Sequence, residues 1–360
     1  MRQRTGSRRR VIEPYHPERN RRRDTLRTWS IGLLVLALLV FVSLFIGRDV
    51  MLRPQSARQW IGAAAAGDVV YVFGGQDMAS DSGLLDEILA LNLASHGADI
   101  AGHLPWPTYR PQICALDGEL YILGGSSGSE YFSEILRFDR ETEQYAVAGY
   151  LPEPRALGGV AAVGGKLYYV GGCNTTRYFD EVVEFDPSTG EAQILMALPV
   201  ALNSPAVVAT DDRLYVVGGR DKAGNRSDRI LEIDLVLAAV LRIGHLPSPR
   251  TWTAAAALAD VVYVFGGLDR EPLDDIVRIT TTTPDLEVEV VGHLGQPLAR
   301  HVATVVGDRI VLIGGDPVDW KNELLVIEVD PETLVETRHR FRGIIQRAKS
   351  ESDDGPSRDR

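Results

Sequence analysis

DVVYVFGG occupies residues 68–75, and the same eight letters return at residues 260–267. The phrase is an apolar, β-branched and aromatic run closed by two glycines. It reads as a buried strand that ends where the backbone needs positive φ or close approach. In looser spelling it occurs six times: VVYVFGG ending at Gly75, LYILGG at Gly125, LYYVGG at Gly172, LYVVGG at Gly219, VVYVFGG at Gly267 and IVLIGG at Gly315. The intervals are 50, 47, 47, 48 and 48 residues, a register that marks an internal repeat.

Around each glycine pair the chain keeps one grammar. A small-residue run precedes it (GAAAAG from Gly62, GGVAAV from Gly158, TAAAAL from Thr253) and ends in a turn such as Gly67-Asp68, Asp117-Gly118 or Gly164-Gly165. Asp-Gly and Gly-Gly between apolar runs are hairpin turns because they tolerate positive φ. A polar loop follows the pair, then a third run (ILRFD from Ile135, VVEFD from Val182, ILEID from Ile230, VIEVD from Val326) and a fourth that ends in Leu-Pro. The unit is a four-stranded antiparallel meander, which has two apolar faces and can bury neither alone. Six such sheets arranged radially bury each face against a neighbour, with the Ala-rich first strands at the crowded centre. The sequence therefore predicts an all-β, six-bladed β-propeller over residues 58–343. The pairs Gly74-Gly75, Gly124-Gly125, Gly171-Gly172, Gly218-Gly219, Gly266-Gly267 and Gly314-Gly315 are its structural glycines, placed where a Cβ would clash with the adjacent blade.

These residues resemble the kelch repeat. The glycine pair, the preceding aromatic (Tyr71, Tyr121, Tyr169, Tyr215, Tyr263) and the Pro-Arg opening (Pro154-Arg155, Pro249-Arg250) all fit the kelch pattern. The usual fourth-strand Trp is missing, with Tyr145 the nearest aromatic. The resemblance implies a binding or scaffolding propeller. A further resemblance, to exported propellers similar to N-acetylneuraminate epimerase, implies sugar-acid chemistry. Ring closure has two readings: the last blade takes its fourth strand from residues 335–341, leaving every blade contiguous, or the termini exchange a strand.

The N-terminus reads differently. Residues 1–28 carry ten Arg against Glu13, Glu18 and Asp24, so the formal charge of -11 conceals a strongly acidic body. Such a body is a poor binder of phosphate backbones, and no nucleic-acid partner is expected. Residues 29–47, WSIGLLVLALLVFVSLFIG, hold no charge over nineteen positions and as a helix would span ~28 Å, about one hydrocarbon core. Arg19, Arg21, Arg22, Arg23 and Arg27 on its N-terminal side predict a cytoplasmic segment 1–28, a single transmembrane helix 29–47 embedded in the lipid bilayer, and a tether 48–57. The rival reading is a cleaved export signal, since Arg22-Arg23 resembles a twin-arginine motif, but Phe45-Ile46-Gly47-Arg48 offers no A-x-A-like cleavage site. Both readings place the propeller outside the cytoplasm. Residues 344–360, low in apolar content, are expected to form a disordered tail.

Motifs that mimic chemistry are absorbed by the repeat. His103, His245 and His293 each stand in Gly-His-Leu at the end of a fourth strand, on three different blades, and so are not expected to share a metal. Gly124-Gly125-Ser126-Ser127-Gly128 satisfies G-x-S-x-G, but that motif needs a strand turning into a helix, and here its glycines belong to the repeat. No H-E-x-x-H, P-loop or C-x-x-C pattern occurs. Cys114 and Cys173 are expected at opposite ends of their blades. No catalytic residue, metal or cofactor is expected. Asn174-Thr175-Thr176 and Asn225-Arg226-Ser227 fit glycosylation sequons, meaningful only in a eukaryotic secretory pathway.

What remains is one mouth of the central channel. The segments leading into the first strands send Arg58, Arg110, Arg155, Arg250 and Arg300 towards it, with Trp60, Tyr109, Trp252 and His301 nearby, and Asn203 where the fourth blade breaks the arginine pattern. The loops after the glycine pairs oppose them with Asp77, Asn174, Asp221, Asp269 and Asp316. The ring can be mutual ion pairing with Asx capping, or a pocket in which Arg clamps a carboxylate and aromatics stack on a sugar or side chain. Three functions are compatible with it: a membrane-tethered propeller that binds a protein or glycan, a sugar-acid epimerase, or a spacer without a ligand.

Overall fold

The computed structural model describes residues 58–77, 83–283, 285–315 and 324–345. The expected membrane helix and the C-terminal segment from residue 346 lie outside the described residues. Six antiparallel sheets follow one another along the chain, each in simple sequential strand order. The first blade is Gly62–Ala66, Val69–Phe73, Glu87–Asn92 and Gly97–His103, and the third is Ala156–Val163, Lys166–Cys173, Glu181–Asp186 and Glu191–Ala197. The first two strands of each blade register across the turns read from sequence: Ala66 pairs Val69, Leu116 pairs Glu119, and Val163 pairs Lys166.

The core lies between blades. Tyr71, Phe73 and Ile88 of the first blade pack with Leu120, Ile122 and Phe138 of the second. Val170 and Val182 of the third pack with Val216 and Leu231 of the fourth. The ring closes through Val70, Val72 and Leu89 of the first blade against Val311, Ile313 and Val326 of the sixth. No single sheet owns a core, which is why the repeats must stack.

The glycine pair works as a hinge of contact. Both members have positive φ in every blade. The second glycine donates its N–H to the next blade, Gly125 to Arg155 O at 3.0 Å and Gly172 to Leu202 O at 2.8 Å. A Cβ on Gly124 would stand 2.5 Å from Arg155 O, and one on Gly171 2.4 Å from Leu202 O. The first glycine is therefore bare so that its neighbour can reach across.

Closure combines the two expectations from sequence. The sixth blade takes its own fourth strand, Glu336–Arg338, so each blade is contiguous. The chain then continues as strand Arg342–Ile345, which joins the outer edge of the first blade as a fifth, parallel strand, Arg342 opposite Gly97 and Ile345 opposite Asp99. This strand runs two residues past the propeller boundary at 343 read from sequence.

Candidate functional site

The five arginines expected in one ring occupy two levels. Arg58, Arg155 and Arg250 are buried, at 4%, 0% and 0% exposure. Each is held by an acid near the start of the third strand of its own blade: Arg58 Nη2 on Glu87 at 2.5 Å, Arg155 Nη2 on Glu181 at 2.7 Å, and Arg250 on both oxygens of Asp275 at 2.7 and 2.8 Å. Arg155 also lies 3.6 Å over the Phe179 ring. One each enters blades one, three and five, and all three are committed to the scaffold. Thr108, Leu202 and Leu298 take the same position in the other blades, as their shared role of accepting from a glycine N–H shows for Arg155, Arg250 and each of them.

Arg110 and Arg300 stand two positions further on. That position is Trp60, Arg110, Leu157, Ser204, Trp252 and Arg300 around the ring, and each lies 15 residues before the second glycine of its pair. All six have left-handed backbones, with φ between 50 and 62°. The cause is a circumferential set of backbone hydrogen bonds: Arg110 N to Trp60 O (2.9 Å), Ser204 N to Leu157 O (2.6 Å), Trp252 N to Ser204 O (3.4 Å) and Arg300 N to Trp252 O (3.0 Å). Bulky non-glycine residues in that region are strained, and such strain gathers at functional sites.

Their side chains converge at the channel. Arg110 lies 4.0 Å above Trp60 and 5.6 Å from Trp252, and Arg300 lies 4.7 Å from Trp60 and 4.0 Å from Trp252. Trp60 meets Trp252 edge-on at 5.6 Å and Tyr109 at 5.1 Å. Ser204 Oγ accepts from Arg110 Nη1 at 3.0 Å and from Trp252 Nε1 at 3.1 Å. Below them the channel, a cavity of about 160 Å³, is walled by the first strands together with Arg110, Leu157, Ser204, Trp252, Arg300 and His301.

The electrostatics are one-sided. Burial, with Arg300 and Arg220 adding repulsion against the opposing pull of Tyr109 and Cys173, pushes the Arg110 guanidinium down to about 9, so it stays charged at neutral pH. Among the described residues no carboxylate contributes to the Arg110 environment. Burial lowers Arg300 as well, partly offset by Tyr109. His301 is pushed down to about 4 by burial, opposed by the Phe265 carbonyl, so its ring is neutral at pH 7. Among the described residues neither ring nitrogen meets hydrogen-bond geometry, with the Phe265 carbonyl included, and the buried Asn203 Oδ1 has no partner either. Asn203 Nδ2 faces Cys173 Sγ at 3.6 Å, and burial raises that thiol.

The loop acids do other work. Asn174 Oδ1 accepts from Thr176 N and Arg177 N, and Asp221 Oδ1 from Asn225 N, so each caps its own loop. Asp77 pairs across from Arg58 in the two-residue strand Gln76–Asp77. Asp269 N bonds Glu271 O within its turn, and Asp316 lies outside the described residues. Sequence reading missed Leu157, Ser204 and Arg220. Arg220 pairs with Asn203 and reaches 5.7 Å from Trp252. The fixed offset of 15 residues from the glycine pair would have found the first two.

The mimics stay architectural. His103, His245 and His293 are exposed and each pairs with an acid of its own blade, Asp86, Asp228 and Asp274. Ser126 is buried, its Oγ accepting from Gly128 N in a loop. Among the described residues no group of three or more His, Cys, Asp or Glu is placed to hold a metal.

Residues 49–219 match the family model described as the KLHDC2/KLHL20/DRC7 Kelch-repeats domain. The repeats over residues 49–219 thus match the kelch model. The solved structure of YjhT is similar over 79% of this chain and 99% of that one, with a TM-score of 0.65 at 18% sequence identity, a likeness of fold. A search of curated proteins finds no match. In this propeller the repeat supplies the scaffold arginines, and the six left-handed positions, which differ from blade to blade, supply the individuality of the mouth.

Proposed function

We propose that this kelch propeller is a binding module, tethered to a membrane through residues 29–47 with its N-terminus cytoplasmic, whose channel mouth takes a carboxylate-bearing group of a protein or glycan. The observation that carries it is Arg110: a charged, half-buried guanidinium at the channel, stacked on Trp60, held by a neutral hydroxyl and facing no carboxylate among the described residues. A desolvated cation of this kind gains most from an anion that forms charge-assisted hydrogen bonds with it, while Trp60, Trp252 and Tyr109 offer flat apolar surface beside it. The same mouth also suits a sugar acid as substrate. Epimerisation needs an acid–base pair set across the substrate, and among the described residues the channel lining offers Arg110, Arg300 and a buried His301 without a carboxylate beside them. Binding without turnover is the reading we adopt.

The test is calorimetry on the full chain in detergent with sugar acids, uronic acids and peptides ending in a free carboxylate, each against its neutral amide. Carboxylates should bind and amides should not, and Arg110→Gln should lower affinity about tenfold or more, the worth of one charge-assisted hydrogen bond. Equal binding of acid and amide would sink the proposal, and product formation from a sugar acid would replace it with the epimerase.

A further inference from the structure

Away from the mouth, the seam where the sixth blade meets the first brings together two histidines from opposite ends of the propeller. His96 lies in the turn between the third and fourth strands of the first blade, exposed and with φ of 54°. His339 follows the last strand of the sixth blade and is buried. Their Nδ1 atoms face one another at 3.5 Å, with ring centroids 5.2 Å apart. On the far side of the second ring, His339 Nε2 meets Glu328 Oε2 at 2.9 Å.

We propose that His96 and His339 chelate a divalent transition-metal ion, zinc or a similar borderline-soft cation, that staples the sixth blade to the first. Three features carry it. Glu328 is a carboxylate, so the hydrogen on His339 belongs on Nε2 and its Nδ1 presents a lone pair to His96. A histidine whose second nitrogen is fixed by a carboxylate is the usual arrangement of a metal ligand. Two nitrogens at ~2.0–2.1 Å from a tetrahedral ion stand about 3.3 Å apart, close to the separation found. Binding needs only that the exposed His96 carry its hydrogen on Nε2, so no proton is lost from the pair. His96 is exposed, so solvent can supply the waters that complete the shell. Imidazole nitrogens with water select zinc, nickel or copper over magnesium, which prefers oxygen.

The experiment is a thermal unfolding series on the full chain in detergent, with zinc, nickel or magnesium chloride added to metal-stripped protein. Zinc and nickel should raise the midpoint by several degrees at one ion per chain, and magnesium should not. His96→Asn is the informative variant, because Asn tolerates the left-handed backbone and the side chain is exposed, so the metal-free midpoint should hardly move. In that variant the zinc-dependent rise should vanish. With copper, the nitrogen superhyperfine pattern in electron paramagnetic resonance should show two nitrogens in the parent and one in H96N. No rise with zinc at millimolar concentration, or an equal rise in H96N, overturns the proposal, the second outcome assigning the ion to other histidines.

Discussion

At the scale of the residue, the propeller uses arginine in two opposite ways. Arg155 and Arg250 are enclosed and each faces a carboxylate, so truncation strands that carboxylate. Arg250→Ala should cost about 3–5 kcal/mol in urea unfolding, leaving Asp275 without its cation. Arg110 has no such partner among the described residues, and its loss should be felt in ligand affinity more than in stability. His301 makes a pH-dependent contribution of known sign. Its folded pKa of about 4 lies below the unfolded value of 6.5, so between these the unfolded chain binds more protons and stability falls as pH drops. The loss over that window should approach ~3 kcal/mol, and His301→Leu should remove that part of the slope when unfolding is measured from pH 7 to pH 4. These residues were only half legible. The Pro-Arg openings announce themselves by repetition, but their partners Glu87, Glu181 and Asp275 sit across a loop, and nothing local couples them. Leu157 and Ser204 share a backbone shape with Trp60 and Arg300 and no chemistry, so a search for recurring letters passes over them.

At the scale of the element, strands and turns were readable because each repeat writes the same alternation and the same glycine punctuation. The glycines divide by what surrounds them. Gly224 turns with φ of 89° and open space about its Cα, so Gly224→Ala should cost only the left-handed penalty of about 1–2 kcal/mol. Gly171 has φ of 65° and a carbonyl oxygen 2.4 Å from where a Cβ would go. Gly171→Ala should cost about twice as much or more, because it also pushes away the Leu202 carbonyl that Gly172 N–H reaches. Chemical denaturation of the two variants side by side checks the ranking. The strand Arg342–Ile345 escaped the repeat reading for a physical reason. It belongs to no repeat, follows a complete blade, and finds its partner some 245 residues back, a pairing that no local pattern encodes.

At the scale of the molecule, six blades hide a threefold alternation, with buried arginine between strands in the first, third and fifth and a neutral side chain in the second, fourth and sixth. Charge burial is thus spaced so that no blade interface carries two guanidinium groups at this level. The ring closes by side-chain packing and by one added strand, and the two can be separated. Ending the chain after Phe341 should leave the fold intact, lower its stability by ~1 kcal/mol, about the net worth of one or two backbone hydrogen bonds, and speed amide exchange in Gly97–His103.

That added strand also sets an order of events. Residues 342–345 leave the ribosome after all six blades, yet their place is on the outer edge of the first, which must wait with that edge bare while some 240 further residues are made. A bare edge invites pairing with other chains. A polypeptide cut short before Arg342 would keep it bare for good, carrying a sheet edge that the full fold covers.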